Sequence, residues 1–332
     1  MKSNPRIGVI GGGSWATALA KILSENLDSI NWWMRNPAAV DHFNTYHRNL
    51  NYLSSVLFVG DKLRVSNNLE EVVKDSDILI MATPSAFLYD VFNDFPKDLM
   101  KGKIIFTAIK GVVPEYHAIP AKFFHKQFRT PYNEMGIICG PCHAEEVAME
   151  RLSYLTIACE DTSIAEDLAE KLACRYIKTT VSDDLFGSEL SAILKNVYAV
   201  GSGICHGIGY GDNFQAVLIS NALQEIKRFV DAVHPIHRDV ITSAYLGDLL
   251  VTAYSQYSRN RTFGNMIGRG YSVRSAQFEM NMVAEGYYAA KGIIEINKKF
   301  QVDIPICESI YRILYERMSP AIEMKLLADR LS

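Results

Sequence analysis

The sequence predicts an α/β fold, a doubly wound and mostly parallel sheet, followed by an all-α domain. Short, nearly all-apolar runs recur through the first half of the chain, spaced widely enough for crossover helices, which is the pattern of parallel strands covered on both faces. From about residue 185 these runs give way to long segments of helical period. At 332 residues the chain also exceeds what one core usually fills, since cores tend to split beyond ~250 residues.

Each element has its own signal. The run at 6–10 is rich in β-branched residues and ends in glycines, and 15–25 has apolar residues at helical spacing, so the chain opens strand, turn, helix. Further strands are expected at 30–34, 77–82 and 103–109, then at 136–139, 155–159 and 176–181. Helices are expected over 190–204, 214–233 and 240–255. The change of pattern divides the chain into domains 1–185 and 186–332. No repeat, low-complexity tract or Pro/Ser-rich linker separates them, so they are expected to pack directly and share a cleft.

Composition narrows the function classes. Hydrophobic residues make up 48% and charged residues 21%, which suits a folded globular chain. Lys plus Arg number 34 against 37 Asp plus Glu, with no run of five like charges, so neither a nucleic-acid nor a membrane-surface footprint is present and a small-molecule partner is expected. The opening residues have neither the apolar core of a signal peptide nor that of an anchor, and no apolar stretch reaches membrane-spanning length. Six scattered cysteines suit a reducing compartment, and a cytoplasmic location is expected.

Between the first strand and helix lies Gly11-Gly12-Gly13-Ser14-Trp15-Ala16. This fits the Rossmann-type fingerprint Gly-x-Gly-x-x-Gly/Ala: Gly11 makes the tight turn, Gly13 lets backbone approach a pyrophosphate, and Ala16 lets helix meet strand. Amides at the helix start then favour an anion. The acidic residue that holds an adenine-ribose hydroxyl usually lies about 20 positions on. Here the second strand ends in Trp33-Met34-Arg35-Asn36. Arg35 cannot accept a hydroxyl proton but can pair with a 2′-phosphate, so NAD and NADP are both candidate cofactors; alternatively it is an exposed loop charge.

Hydride chemistry belongs to the cofactor, so the protein must supply a proton donor and orient the substrate. The helical stretch 191–205 contains a single charge, Lys195, which either emerges at the surface or is buried so that its pKa falls toward a general acid's range. Asn196 beside it can position a substrate or the lysine. Lys110 follows the strand at 103–109 at its carboxyl end, where α/β sheets place ligands, unless it is a surface charge. Asp248 interrupts the apolar run 245–251, a costly place for a carboxylate without a cation. Ser258-Arg259-Asn260-Arg261 is either a donor cluster suited to a phosphate or a solvated helix end.

Cys139-Gly140-Pro141-Cys142 competes as a thiol-redox motif. It lies after four strands of a dinucleotide domain and lacks a preceding tryptophan, which argues against redox use. Zinc at Cys139, Cys142 and His143 has no second ligand pair at suitable spacing, and His234-Pro-Ile-His237 reads as a turn.

Together these stretches resemble the bacterial-type NAD(P)-dependent glycerol-3-phosphate dehydrogenases. The likeness is carried by GGGSWATALA at Gly11, IKG at Lys110, GPCHAEEVA at Gly140, LKNVYAVGSGI at Leu194, GIGYGDN at Gly207, LGDLLVT at Leu246, SRNRTFG at Ser258 and VAEG at Val283. The resemblance implies reduction of dihydroxyacetone phosphate to sn-glycerol 3-phosphate, the backbone for phospholipid synthesis, in a homodimer. It implies Lys195 as proton donor or acceptor, with Lys110, Gly140, Cys142, Asp248, Ser258, Arg259 and Asn260 binding substrate. Ser14, Trp15, Arg35, Ala144, Val283 and Glu285 would line the cofactor, reached also by Lys110 and Arg259. The chain departs from the family pattern in three places. Cys142 stands where a serine or threonine is usual, and a thiol donates only weakly. Ala16 replaces the commoner glycine, and Ile109 a frequent threonine. A rival is a β-hydroxyacid-type dehydrogenase, which also pairs a dinucleotide domain with a helical one and has a catalytic lysine near an asparagine; LGDLLVT and SRNRTFG argue against it. A second rival, from another class, is a non-catalytic redox sensor using Cys139 and Cys142.

Overall fold

A computed structural model describes residues 5–59, 61–280 and 283–332. Its contacts divide the chain into two compact units, one of Met1–Thr83, Phe87–Ile109 and Pro120–Leu185, the other of Pro84–Ala86, Lys110–Ile119 and Phe186–Ser332.

The first unit is built on an eight-stranded sheet. Its strands are β1 (Ile7–Ile10), β2 (Ile30–Trp33), β3 (Leu63–Ser66), β4 (Ile78–Met81), β5 (Ile104–Thr107), β6 (Met135–Cys139), β7 (Ser153–Cys159) and β8 (Ile177–Ser182). They lie in the order β3-β2-β1-β4-β5-β6-β7-β8, and every neighbouring pair is parallel except β6 and β7. The helices are α1 (Ser14–Asn26), α2 (Pro37–Tyr46), α3 (Leu69–Lys74), α4 (Leu88–Phe92), α5 (Pro120–Phe128), α6 (Ala144–Ala148) and α7 (Thr162–Leu172). Strands β1, β2 and β4 are buried along their whole length, as their mostly apolar runs require, and the one polar residue, Asn31 in β2, donates to the Asp75 carbonyl at 2.9 Å and the Ser76 hydroxyl at 3.1 Å. Strand β3 has no counterpart among the sequence-predicted strands. It is an edge strand, Leu-Arg-Val-Ser, with no fully buried residue, so it lacks the apolar run that betrays its neighbours. The direction of winding reverses between β1 and β4, and the register sets Ile10 opposite both Trp33 and Met81. Gly11, Met34 and Ala82 therefore leave the sheet at one level, at the carboxyl ends where α/β sheets bind ligands.

The second unit is helical: α8 (Leu185–Gly207), α9 (Asp212–Val233), α10 (Asp248–Tyr254), α11 (Arg259–Gly268), α12 (Val273–Glu279), α13 (Glu285–Phe300), α14 (Pro305–Tyr315) and α15 (Pro320–Ala328). The helix expected over 240–255 is not one helix. Ser243–Gly247 forms a π-helical turn, with Gly247 N–H bonded to the Thr242 carbonyl at 3.2 Å, and regular α-helix begins only at Asp248. Apolar spacing alone does not separate the two geometries, because both bury one face.

Two devices fix the helices that carry the site. Helices α8 and α11 meet backbone to backbone: a Cβ added at Gly264 would lie 2.0 Å from the Val200 carbonyl oxygen, and one at Gly203 would lie 2.0 Å from that of Arg261. Only glycine permits this approach. Glu225 on α9 is fully buried and accepts the Ile306 and Cys307 amides at the start of α14, at 2.9 and 3.0 Å, while the Tyr198 hydroxyl of α8 donates to it at 3.2 Å. Burial raises its pKa to about 7 against these donors.

Candidate functional site

The expected residues gather in two clusters, one in each unit. In the first, β1 ends at Gly11, whose φ of 137° suits glycine alone and whose added Cβ would sit 2.7 Å from the Ala82 carbonyl oxygen. Three consecutive carbonyls of the turn are bound by side chains. The buried Trp32 indole donates to Gly11 O at 2.7 Å, the Asn49 carboxamide to Gly12 O at 3.0 Å, and the Thr17 hydroxyl to Gly13 O at 2.9 Å. Trp32 is itself held by Phe43 and Phe58, at ring separations of 5.3 and 5.7 Å.

In a planar trans peptide the carbonyl and the following N–H point oppositely. Binding the Gly11 and Gly12 carbonyls inward therefore turns the Gly12 and Gly13 amides outward, and among the described residues neither donates a hydrogen bond. No side chain caps α1 at Gly13, and a Cβ placed there would have no heavy atom within 4 Å. Beside the turn, at the end of β4, the Thr83 hydroxyl is buried without a partner. Outward amides at a helix start, clear space above Gly13 and an orphaned hydroxyl fit a dinucleotide's pyrophosphate and its neighbouring sugar.

Ser14 and Ala16 are buried and Trp15 half-buried in the first turn of α1. Arg35 is exposed just past β2, with its guanidinium 5.6 Å from the Phe87 ring centroid, and no carboxylate among the described residues pairs with it. Gly140 follows β6 with a φ of 112°, the buried Cys142 comes two residues later, and Ala144 opens the short helix α6. All six cysteines are free, and no group of His, Cys, Asp or Glu among the described residues is arranged to hold a metal.

In the second unit, Lys195 on α8 is 4% exposed and Asp248 at the start of α10 is 1% exposed. Their side chains form an ion pair, and Lys110 Nζ lies 3.4 Å from the other Asp248 oxygen. Burial pulls the Lys195 ammonium down to about 7; Asp248 opposes the shift and the Lys110 charge reinforces it. An amine near neutrality exchanges a proton readily at working pH.

A chain of amides extends from this pair. Asn196 donates to the Lys110 carbonyl at 2.7 Å, Asn260 donates to Asn196 Oδ1 at 2.9 Å, and the Gly286 amide donates to Asn260 Oδ1 at 2.8 Å. Asn260 is thus held at both ends and keeps one Nδ2 hydrogen for a ligand. Ser258 caps α11, its Oγ accepting the Arg261 amide at 3.2 Å, and half-buried Arg259 is the first residue of that helix. Glu285 opens α13 and accepts the Ser85 amide at 3.1 Å and hydroxyl at 2.5 Å. Burial raises the Glu285 pKa, opposed by these two bonds and by the Arg259 charge. Half-buried Val283 precedes it.

Two family models match the chain, the NAD-dependent glycerol-3-phosphate dehydrogenase N-terminus over residues 6–165 and its C-terminus over 184–325. The chain belongs to this family. A glycerol-3-phosphate dehydrogenase [NAD(P)+] of Limosilactobacillus reuteri is 33% identical over 330 residues, 98% of this chain and 97% of that protein. One from Staphylococcus aureus is 34% identical over 326 residues, 98% of each. The crystal structure of the Coxiella burnetii glycerol-3-phosphate dehydrogenase superposes with a TM-score of 0.91 at 27% identity, covering 98% of this chain and 99% of that one.

As a family member the chain brings Lys110, Lys195, Asp248, Asn260 and Glu285 into one bonded neighbourhood, while Gly11 to Ala16, Arg35, Gly140, Cys142 and Ala144 belong to the sheet unit. Several residues escaped the sequence reading. Asn49 and Thr17 hold the turn, Ser85 binds Glu285, and the Ser188 and Ser191 hydroxyls on α8 are buried without partners. Ser191 precedes Lys195 by one helical turn, so serines at four- and seven-residue spacing from the lone lysine were the available signal.

Proposed function

We infer that the chain reduces dihydroxyacetone phosphate to sn-glycerol 3-phosphate with NADH or NADPH, reversibly, and that Lys195 is its proton donor. The carrying observation is the buried Lys195–Asp248 pair, whose lysine is pulled down to about 7. When bound, the dinucleotide supplies a hydride to the substrate's carbonyl carbon. As that carbon gains its new bond, the carbonyl π electrons move to oxygen, and Lys195 Nζ gives the oxygen its proton. The amine left behind is reprotonated from solvent. Asp248 holds the lysine in place, so its lost proton is a change of charge rather than of position. Arg259, with the remaining Asn260 N–H and Ser258, would anchor the phosphate and turn remote binding into orientation at the reacting carbon. Lys110, Gly140 and Cys142 complete the substrate set. The turn from Gly11 to Ala16, with Arg35, Ala144, Val283 and Glu285, would hold the cofactor, reached also by Lys110 and Arg259. Among the described residues Arg35 has no acidic partner to neutralise it, which supports use of a 2′-phosphorylated cofactor.

Family membership supports a cytoplasmic homodimer that supplies glycerophospholipid synthesis. Among the described residues no helix is long and apolar enough to cross a membrane. The test is oxidation of NADH and NADPH with dihydroxyacetone phosphate and a panel of β-keto acids. Turnover is expected with the phosphate alone. A preference for a β-keto acid would transfer the site to the rival chemistry.

A further inference from the structure

We propose that Asn49, acting with Thr17, is a positioning residue for cofactor binding: it sets the direction of the glycine-turn amides without touching the dinucleotide. This rests on the reading of Gly11 to Ala16 as the pyrophosphate turn. Asn49 lies in the segment between α2 and β3, outside every motif, yet it is 1% exposed. Its carboxamide is divided between two tasks. Oδ1 accepts the Asn51 and Tyr52 amides at 3.1 and 3.2 Å and so shapes its own loop. Nδ2 donates to Gly12 O at 3.0 Å and to the Thr17 hydroxyl at 2.8 Å, and that hydroxyl donates in turn to Gly13 O. Both Nδ2 hydrogens are thereby used, and the Thr17 hydroxyl acts as acceptor and donor at once.

The consequence follows from peptide planarity. The Gly12–Gly13 peptide is flanked by glycine on both sides, so nothing in local sterics prevents it from flipping. A flip would carry the Gly12 carbonyl outward and its oxygen would replace an amide facing a phosphate, exchanging attraction for repulsion. The Asn49 hydrogen bond opposes that flip, and Thr17 restrains the next peptide along. Trp32 does the same one residue earlier, at Gly11 O, but as a core side chain whose removal would open a cavity. Asn49 and Thr17 therefore offer the cleaner probes.

Three variants separate this from a structural role. Asn49→Asp keeps the acceptor of the loop bonds and removes both donors. Thr17→Val leaves the loop and the charge unchanged and removes the hydroxyl. Thr17→Ser retains the hydroxyl. Dissociation constants for NADH and NADPH, read from nucleotide fluorescence without substrate, are expected to rise about tenfold or more in Asn49→Asp and about fivefold in Thr17→Val. Thr17→Ser should stay within twofold of the parent. At saturating cofactor, kcat and the KM for dihydroxyacetone phosphate should remain within about twofold, because the fault lies in occupancy of the turn. Unchanged dissociation constants in Asn49→Asp and Thr17→Val would overturn the proposal, as would a fall in kcat and melting temperature with affinity intact. A parent enzyme that binds NADPH but turns over no dihydroxyacetone phosphate would remove the substrate reading alone, and one that binds neither dinucleotide would remove both.

Discussion

The glycine turn and the lysine–aspartate pair solve opposite problems with opposite materials. The turn, read as a site for a strongly charged ligand, uses neutral bonds alone: indole, carboxamide and hydroxyl donors hold its carbonyls, which leaves its amides outward for the proposed phosphate. The pair places charges where water is scarce, with Lys195 at 4% exposure and Asp248 at 1%, so that one of them titrates near neutrality. A pyrophosphate, whose own charge the reaction does not alter, is a group that dipoles suit. On the proposed reading, a reacting oxygen that must gain a proton is met by a group whose proton is loosely held.

Removing Asp248 breaks the comparison most severely. In Asp248→Asn the buried lysine loses the carboxylate that opposes its downward shift, so its pKa moves further below about 7 and less of it is protonated at neutral pH. We expect kcat for reduction at pH 7 to fall about a hundredfold, the limb of the pH profile to move to lower pH, and cofactor affinity to stay within twofold. A limb that keeps its position would detach Asp248 from the titration. Next in size is Arg35→Ala, which alters the charge of the otherwise neutral half. The ratio of kcat/KM with NADPH to that with NADH should drop about tenfold, or about 1.4 kcal/mol. An unchanged ratio would leave Arg35 as an exposed charge resting near Phe87. The smallest effect is expected at Cys142→Ser, where a hydroxyl replaces a weakly donating thiol. The KM for dihydroxyacetone phosphate should fall two- to threefold, roughly, with cofactor binding unaltered. A constant KM would place residue 142 outside the substrate's reach.

How much could be read in advance also differs between the two regions. Gly11 is legible because backbone geometry demands glycine there, Gly13 and Ala16 because the fingerprint sets small residues at fixed spacing after it, and the sheet follows from apolar runs buried on both faces. Lys195 is conspicuous as the single charge of its helix stretch, but its burial, its pairing with Asp248 and its pKa, lowered further by the Lys110 charge, depend on Asp248 meeting Lys195 and Lys110 from 53 and 138 positions away. The tie from Asn196 to Asn260 and Gly286 has no sequence signature for the same reason, and Asn49 sits in an irregular segment where a lone asparagine reads as a turn residue. Edge strand β3 and the π-helical turn were missed because half-burial and an altered helical register leave the apolar pattern weak or ambiguous.

The most direct test of the account is to compare Lys195→Met with the parent enzyme, measuring kcat for NADPH oxidation by dihydroxyacetone phosphate alongside the NADPH dissociation constant. Lys195 is assigned the proton and no part of the dinucleotide. The expected result is a loss of about a hundredfold to ten-thousandfold in kcat with the dissociation constant within twofold of the parent. Turnover retained within tenfold would contradict the assignment and return the proton to another group.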